Sequence, residues 1–212
     1  MQHPLRTAYR TLAGVIGLVS VGWLYGLVVL DGGPVLSGSV RYFSFFTILT
    51  NLLAAAAMLL PVWAPATRAG AFLDRPAVRT AIAGYIIVVG VVYYALLRNV
   101  GNAQGWELFL NQILHYVLPP MFALDWLIFV PKRSLPWRTG IDCLAFPAVY
   151  AAWTLTHGAV TGWYPYPFLD VTDLGYAQTL VSLAGLVLAF LALELALVAI
   201  GRALARGAPP SS

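Results

Sequence analysis

The chain has 212 residues, of which 60% are hydrophobic and only 9% are charged, and its mean hydropathy is +0.81. A soluble domain of this composition would expose a large apolar surface, so the composition indicates an integral membrane protein. The net charge of +4 does not indicate a nucleic-acid-binding protein, because no basic cluster in the sequence is interleaved with aromatic residues.

Six apolar runs of about 20 residues predict six transmembrane helices, because about 20 helical residues cross a bilayer. In chain order the runs cover residues 11–30, 43–63, 78–97, 109–130, 141–160 and 176–200. The sequence therefore predicts an all-α, multi-pass membrane protein, with one six-helix domain over residues 1–206 and a disordered tail over 207–212. Its single cysteine, Cys143, excludes an intrachain disulfide, and neither a cofactor nor a metal site is predicted.

The basic residues are divided unequally between the two ends of these spans. Ten of the 12 lie at one end, namely Arg6, Arg10, Arg68, Arg75, Arg79, Lys132, Arg133, Arg138, Arg202 and Arg206. Only Arg41 and Arg98 lie at the other end. Since basic loops resist translocation, both termini are predicted to be cytoplasmic. The predominance of arginine over lysine, with abundant alanine and glycine, is typical of a GC-rich bacterial genome and suggests a bacterial plasma membrane.

A polar stripe marks the outer end of the second span. Thr47 and Asn51 are i and i+4 and share one helical face, which Thr50 flanks. At about 1.5 Å rise per residue, Thr47 lies roughly 6 Å inside the outer end of its span. His115, in the fourth span, lies roughly 9 Å inside, so the hydroxyl and the imidazole are predicted at similar depth.

An ionisable residue within a membrane span usually has a function, and a hydroxyl beside an imidazole is the minimum for nucleophilic acyl chemistry. Thr47 and His115 are therefore a candidate nucleophile and base. The amides available to hold an oxyanion are those of Asn51, Asn111 and Gln112. The structural alternative is that the hydroxyl bonds its own helix and that the amides hold neighbouring helices together.

Three motifs carry a resemblance to a known family: T-x-x-T-N-L-L in span two, N-x-x-x-H-x-x-x-P in span four, and W-Y-P-Y-P-F-L-D between the last two spans. Over most of the chain they are similar to the bacterial branch of the androgen-induced-gene membrane family, which includes the androgen-dependent TFPI-regulating protein. Animal members are threonine hydrolases of fatty acid esters of hydroxy fatty acids, with an essential intramembrane Thr and His. The resemblance implies Thr47 as nucleophile, His115 as base and a lipid ester as substrate.

The sequence departs from the family at the nucleophile. The animal pattern places the threonine three residues before an asparagine, whereas Thr47 precedes Asn51 by four and Thr50 precedes it directly. Both threonines remain candidates, and Thr47 is favoured because it shares a helical face with Asn51.

Three outward-side residues are candidates for substrate binding. Arg98, with Asn99, could hold the carboxylate of a lipid by paired hydrogen bonds, although such arginines usually snorkel to headgroups. Tyr164 belongs to an aromatic, proline-rich loop, which is either an interfacial belt or a semi-rigid lid over an outward-opening site.

Two other functions remain open. Asp125 and Glu194 lie at comparable depth near the cytoplasmic ends of their spans, and with His115 they could form the relay of a small non-enzymatic permease or channel. Neighbours such as Arg138 and Arg202 could instead pair with these carboxylates. The other alternative is a membrane scaffold without a pocket. No GxSxG, HExxH, P-loop or GxGxxG motif supports a different enzyme class. The expected partners are membrane lipids, and the oligomeric state is not predicted.

Overall fold

The computed structural model describes residues 4–30, 33–132 and 135–207, and every regular element within these ranges is helical. The α-helices are α1 (Pro4–Tyr25), α2 (Val35–Phe43), α3 (Phe46–Trp63), α4 (Arg68–Leu73), α5 (Pro76–Val92), α6 (Gly105–Gln112), α7 (Leu118–Phe129), α8 (Thr139–Asp142), α9 (Ala145–Thr161) and α10 (Val171–Gly207). Three of them continue as π-helical turns, at Gly26–Leu30, Tyr93–Leu97 and Ile113–Val117. The all-α prediction is confirmed for these residues. The predicted tail lies outside them from residue 208 onward, as does Arg133.

Five helical stretches in the described ranges are long and apolar enough to cross a membrane: Pro4–Leu30, Phe46–Trp63, Pro76–Leu97, Gly105–Phe129 and Val171–Arg206. The fifth predicted span, residues 141–160, is divided between α8 and α9, and α9 has 17 residues. At about 1.5 Å per residue α9 measures about 25 Å, which is less than the ~30 Å of a typical hydrocarbon core.

The bundle is built around α3 and α5. Helix α3 packs against α1 and α5, while α5 also packs against α7 and α10. Gly84 lets α5 and α10 approach closely, because a Cβ there would lie 2.0 Å from Glu194 Oε1 on α10. The last helix is not continuous, since Gly175 has φ 72° and ψ 161° and breaks α10 after its first turn.

The sequence predicted one continuous helix over residues 43–63, and this prediction was wrong at its start. Helix α2 ends at Phe43, and α3 begins only at Phe46. The break between them is held by α9, since Tyr150 Oη donates to the Ser44 carbonyl at 2.9 Å and Trp153 Nε1 donates to Ser44 Oγ at 3.0 Å. Backbone groups released inside an apolar bundle need such partners, so α9 stabilises the start of α3.

A buried ion cluster joins the helices at the other end of the bundle. Arg10 donates from Nε to Asp125 Oδ1 at 2.7 Å, and Arg79 donates to the other oxygen of the same carboxylate. Arg10 also contacts Asp74 Oδ1 at 2.8 Å, which ties α1 to the end of α4. Both guanidinium groups are buried, although the sequence places these arginines at the ends of predicted spans.

The partners suggested by sequence for Asp125 were wrong. Arg138 pairs with Asp142 at 3.1 Å on the surface, and Arg202 donates to the Leu135 carbonyl at 3.0 Å. Asp125 faces α1 and α5 instead, a juxtaposition that only the packing of the helices determines.

Candidate functional site

Thr47 lies in the first turn of α3, at the end of the bundle opposite the ion cluster. The break after α2 leaves its N–H without a carbonyl from the preceding turn, as at every helix N-terminus. Phe45, the residue before the helix, has no side-chain oxygen to serve as a cap. The Thr47 N–H instead donates to Tyr166 Oη at 3.3 Å. The hydroxyl is thus close to its own N–H and to the positive end of a helix dipole, which favour negative charge developing on oxygen.

His115 is buried in the π-helical turn Ile113–Val117. Pro119 and Pro120 follow this turn and have no N–H to donate to the preceding carbonyls, which favours the wider turn. Tyr93, in the π-helical turn after α5, stacks on the imidazole with ring centroids 3.8 Å apart. Such turns are rare and occur frequently at functional sites.

The structure brings the two candidate catalytic side chains together, with Thr47 Oγ1 3.3 Å from His115 Nε2. His115 Nδ1 lies 2.7 Å from the Asn111 carbonyl oxygen, which can only accept a hydrogen bond. Nδ1 therefore carries the proton in the neutral ring, and Nε2 offers its lone pair to the hydroxyl. This tautomer is the one that a general base acting on Thr47 requires.

Tyr166 is the site residue that the sequence did not predict. Its hydroxyl lies 3.4 Å from Thr47 Oγ1, and its side chain is buried. Burial raises the pKa of the phenol above its usual range, so the group remains a hydrogen-bond donor. Tyr164, the predicted residue of this loop, packs instead against α9, where a Cβ on Gly158 would lie 2.0 Å from its ring. The alternation of tyrosine and proline was a signal for both residues, but not for which of them faces the site.

The predicted oxyanion donors have other partners. Asn51 Nδ2 donates to the Thr47 carbonyl at 2.9 Å, and Asn111 Nδ2 donates to Tyr93 Oη at 3.3 Å. Gln112 is exposed. These amides orient the turns that carry the pair, whereas the donors beside Thr47 Oγ1 are its own N–H and the Tyr166 hydroxyl.

Thr50, the alternative nucleophile, has a fully buried hydroxyl without a hydrogen-bond partner among the described residues. The contact to the imidazole is made by Thr47.

The structure does not bring Arg98 and Asn99, the predicted carboxylate-binding residues, into the lining of the candidate site. Arg98 and Asn99 are both exposed, and neither lines the two cavities beside Thr47 in the described part of the chain. The guanidinium lies 4.3 Å from the centroid of the Tyr94 ring, one turn earlier, which holds it on the outer surface of the helix.

Two cavities meet at Thr47 and Tyr166. One has a volume of about 260 Å³ and includes His115, Asn111 and Tyr93 in its lining. The other has a volume of about 360 Å³, and its lining is almost entirely apolar, from α5, α9, α10 and the aromatic loop. A ligand reaching the hydroxyl could therefore extend to either side of it.

Asp125 and Glu194, the two carboxylates of the relay hypothesis, have different surroundings. Both oxygens of Asp125 are occupied by arginines, as described above. Glu194 is fully buried, and within the described ranges neither of its carboxylate oxygens has a hydrogen-bond partner. No group of three or more His, Cys, Asp or Glu side chains that could hold a metal ion occurs in residues 4–30, 33–132 and 135–207.

Comparison of the chain with protein families, curated proteins and solved structures gave no match.

Proposed function

We propose that this protein is an intramembrane hydrolase of lipid esters, with Thr47 as nucleophile and His115 as general base. The observation that carries the proposal is the 3.3 Å contact between Thr47 Oγ1 and His115 Nε2, with the proton of the ring held on Nδ1 by Asn111. A nucleophile, a base and a group that orients the base are the three parts of an acyl-transfer site.

In the proposed reaction, Thr47 Oγ1 attacks the ester carbonyl carbon while its proton passes to His115 Nε2. The bond to the alkoxy oxygen then breaks, and the imidazolium returns the proton to the departing alcohol. In a second step water attacks the acyl-threonine while His115 Nε2 accepts its proton. The bond from the acyl carbon to Thr47 Oγ1 then breaks, the imidazolium returns the proton to Oγ1, and the acid is released. The Thr47 N–H and the Tyr166 hydroxyl are placed to hold the oxyanion in both steps.

The proposed substrate class follows from the resemblance to the androgen-induced-gene family, whose animal members hydrolyse fatty acid esters of hydroxy fatty acids. The two cavities on either side of Thr47 support a substrate with an arm on each side of the ester. The permease or channel alternative is less favoured, because ion pairs with Arg10 and Arg79 occupy Asp125, one member of the relay.

We further propose six membrane crossings in a bacterial plasma membrane, with both termini cytoplasmic and α8 and α9 together forming the fifth crossing. The distribution of arginine supports this orientation, although Arg10 and Arg79 act within the bundle and not as loop charges. A reporter fused after Ser212 is expected to be cytoplasmic, and one inserted near Gly33 external. An external reporter at Ser212 contradicts the six-span topology.

The test of the hydrolase is a comparison of purified wild type with Thr47→Ala, His115→Ala and the double variant on a long-chain ester. Because residues that act as one unit are not additive, all three variants are expected to lose similar activity. Thr50→Ala is the matched control, since it removes a hydroxyl one turn away that has no described partner. A fluorophosphonate probe is expected to label Thr47. Wild-type activity in a folded Thr47→Ala protein excludes this mechanism.

A further inference from the structure

The two cavities beside Thr47 differ in the residues that line them, and this difference indicates which half of an ester each cavity would bind. Thr47 and Tyr166 line both cavities, but His115 lines only the smaller one. In the proposed reaction the imidazolium must protonate the alkoxy oxygen as it leaves. The alcohol half of the ester must therefore lie on the His115 side, and the acyl half must extend to the other side of Thr47.

On the basis of the proposed function, we infer that the 360 Å³ cavity binds the acyl chain and that the 260 Å³ cavity binds the alcohol. The linings agree with this assignment. The larger cavity exposes almost only carbon, whereas the residues that line the smaller one include the polar Tyr42, Asn111 and Glu107. The substrate class is an ester of a fatty acid with a more polar alcohol.

The volume of the acyl cavity gives a chain length. A cavity of about 150 Å³ holds a benzene ring of six carbons, so a volume of 360 Å³ corresponds to a chain on the order of 14 carbons. Its lining includes the exposed residues Ala148 of α9 and Val187 of α10, so the cavity opens between these helices. We expect the acyl chain to come from the bilayer through this opening.

The test is to fill the acyl cavity from α9. Ala151 lines the cavity, and Ala152, its neighbour, is exposed and does not contribute to the described lining. The assay measures kcat/KM for p-nitrophenyl esters of a 12-carbon and a 4-carbon acid. In Ala151→Phe the ratio of the two values is expected to fall at least about tenfold, since displacing two methylene groups from the cavity suffices for that change. In Ala152→Phe the ratio is expected to match the wild type.

A second pair of variants guards against misfolding of the first. Val187→Phe fills the cavity from its exposed wall on α10, and Leu188→Phe is its control, since Leu188 is also exposed and is not among the described lining residues. The acyl-cavity assignment is supported if the ratio of the kcat/KM values for the 12-carbon and 4-carbon esters falls in Ala151→Phe and Val187→Phe but not in their controls. Thr47-dependent activity with an unshifted ratio in both filled variants overturns the assignment and leaves the hydrolase standing. Equal activity of wild type and Thr47→Ala at both chain lengths overturns the proposed function and the assignment together.

Discussion

Replacing Tyr166 by phenylalanine removes one oxygen atom from the site and leaves the ring in place. The ring packs edge-on against Phe45, with centroids 5.7 Å apart, and stacks on Phe168 at 5.2 Å. These contacts do not involve the hydroxyl. The hydroxyl itself contacts the Thr47 N–H and Oγ1 at 3.3 and 3.4 Å, so the substitution affects the proposed nucleophile directly.

The expected loss of stability is small, because the two contacts of the hydroxyl with Thr47 are long. Leaving the Thr47 N–H without its partner costs about 1–2 kcal/mol of unfolding free energy. The expected loss in kcat is larger, because removing one oxyanion donor typically lowers kcat by about 10²–10³. The Thr47 N–H and the helix N-terminus remain in the variant, which places the expectation near a 100-fold loss. KM is expected to change little, since the donor acts on charge that develops in the transition state.

The assay is ester hydrolysis by purified protein in detergent, with thermal unfolding measured on the same samples. Tyr164→Phe is the matched control, because Tyr164 belongs to the same loop but packs on Gly158. It is expected to keep wild-type kcat. The raised pKa of Tyr166 adds a pH expectation: the phenol keeps its proton through the usual tyrosine range near pH 10, so kcat should show no inflection there from Tyr166. A folded Tyr166→Phe protein with kcat within about threefold of wild type refutes the oxyanion role.

Three further predictions concern stability and are measured by thermal unfolding in detergent. Asp125→Asn is expected to lower the free energy of unfolding by about 3–5 kcal/mol, because it leaves two buried guanidinium groups without the negative charge that they share. Its control is Asp142→Asn, which breaks a pair whose side chains are 81% and 59% exposed and is expected to cost no more than about 0.5 kcal/mol. Equal losses in the two variants would contradict the structural role of the ion cluster. Gly158→Ala is expected to destabilise the protein, because the added carbon would lie 2.0 Å from the Tyr164 ring. Gly185→Ala is expected to be neutral or stabilising, because no atom lies within 4 Å of its added carbon. A larger loss of stability in Gly185→Ala would be inconsistent with this packing. Glu194→Gln is expected to be at least as stable as wild type, because the buried carboxyl has no described partner; a large loss would indicate a partner bound only by the carboxylate.

The sequence predicted the juxtaposition of Thr47 and His115 because depth along a membrane helix follows directly from residue number. The face on which each residue lies also follows from the helical period. The depth estimate placed Thr47 and His115 at a similar level in the membrane, and in the structure Thr47 Oγ1 lies 3.3 Å from His115 Nε2. The start of α3 at Phe46 was not predicted, because a single serine between Phe43 and Phe45 is not enough to end a hydrophobic run.

Partners that come from other elements were harder to predict. The break at Ser44 depends on Tyr150 and Trp153, more than 100 residues away in the chain. Tyr166 and Tyr164 have similar local sequence, and only the packing of the loop on α9 decides which of them reaches Thr47. In the same way, the pairing of Asp125 with Arg10 depends on the packing of α7 against α1.

The buried ion cluster and the candidate site lie at opposite ends of the bundle. The ion cluster of Arg10, Asp125 and Arg79 ties α1, α5 and α7 together at one end, and within this cluster each buried charge has an opposite charge in contact. At the other end, the helices that carry Thr47 and His115 are interrupted, one by a break and the other by a π-helical turn. Interrupted helices expose N–H groups and allow side chains to point into a cavity, but they weaken the local hydrogen-bonded framework. A bundle held firmly at its opposite end can keep such a site open, which explains why the candidate site and the strongest ion pairs lie at opposite ends of the same helices.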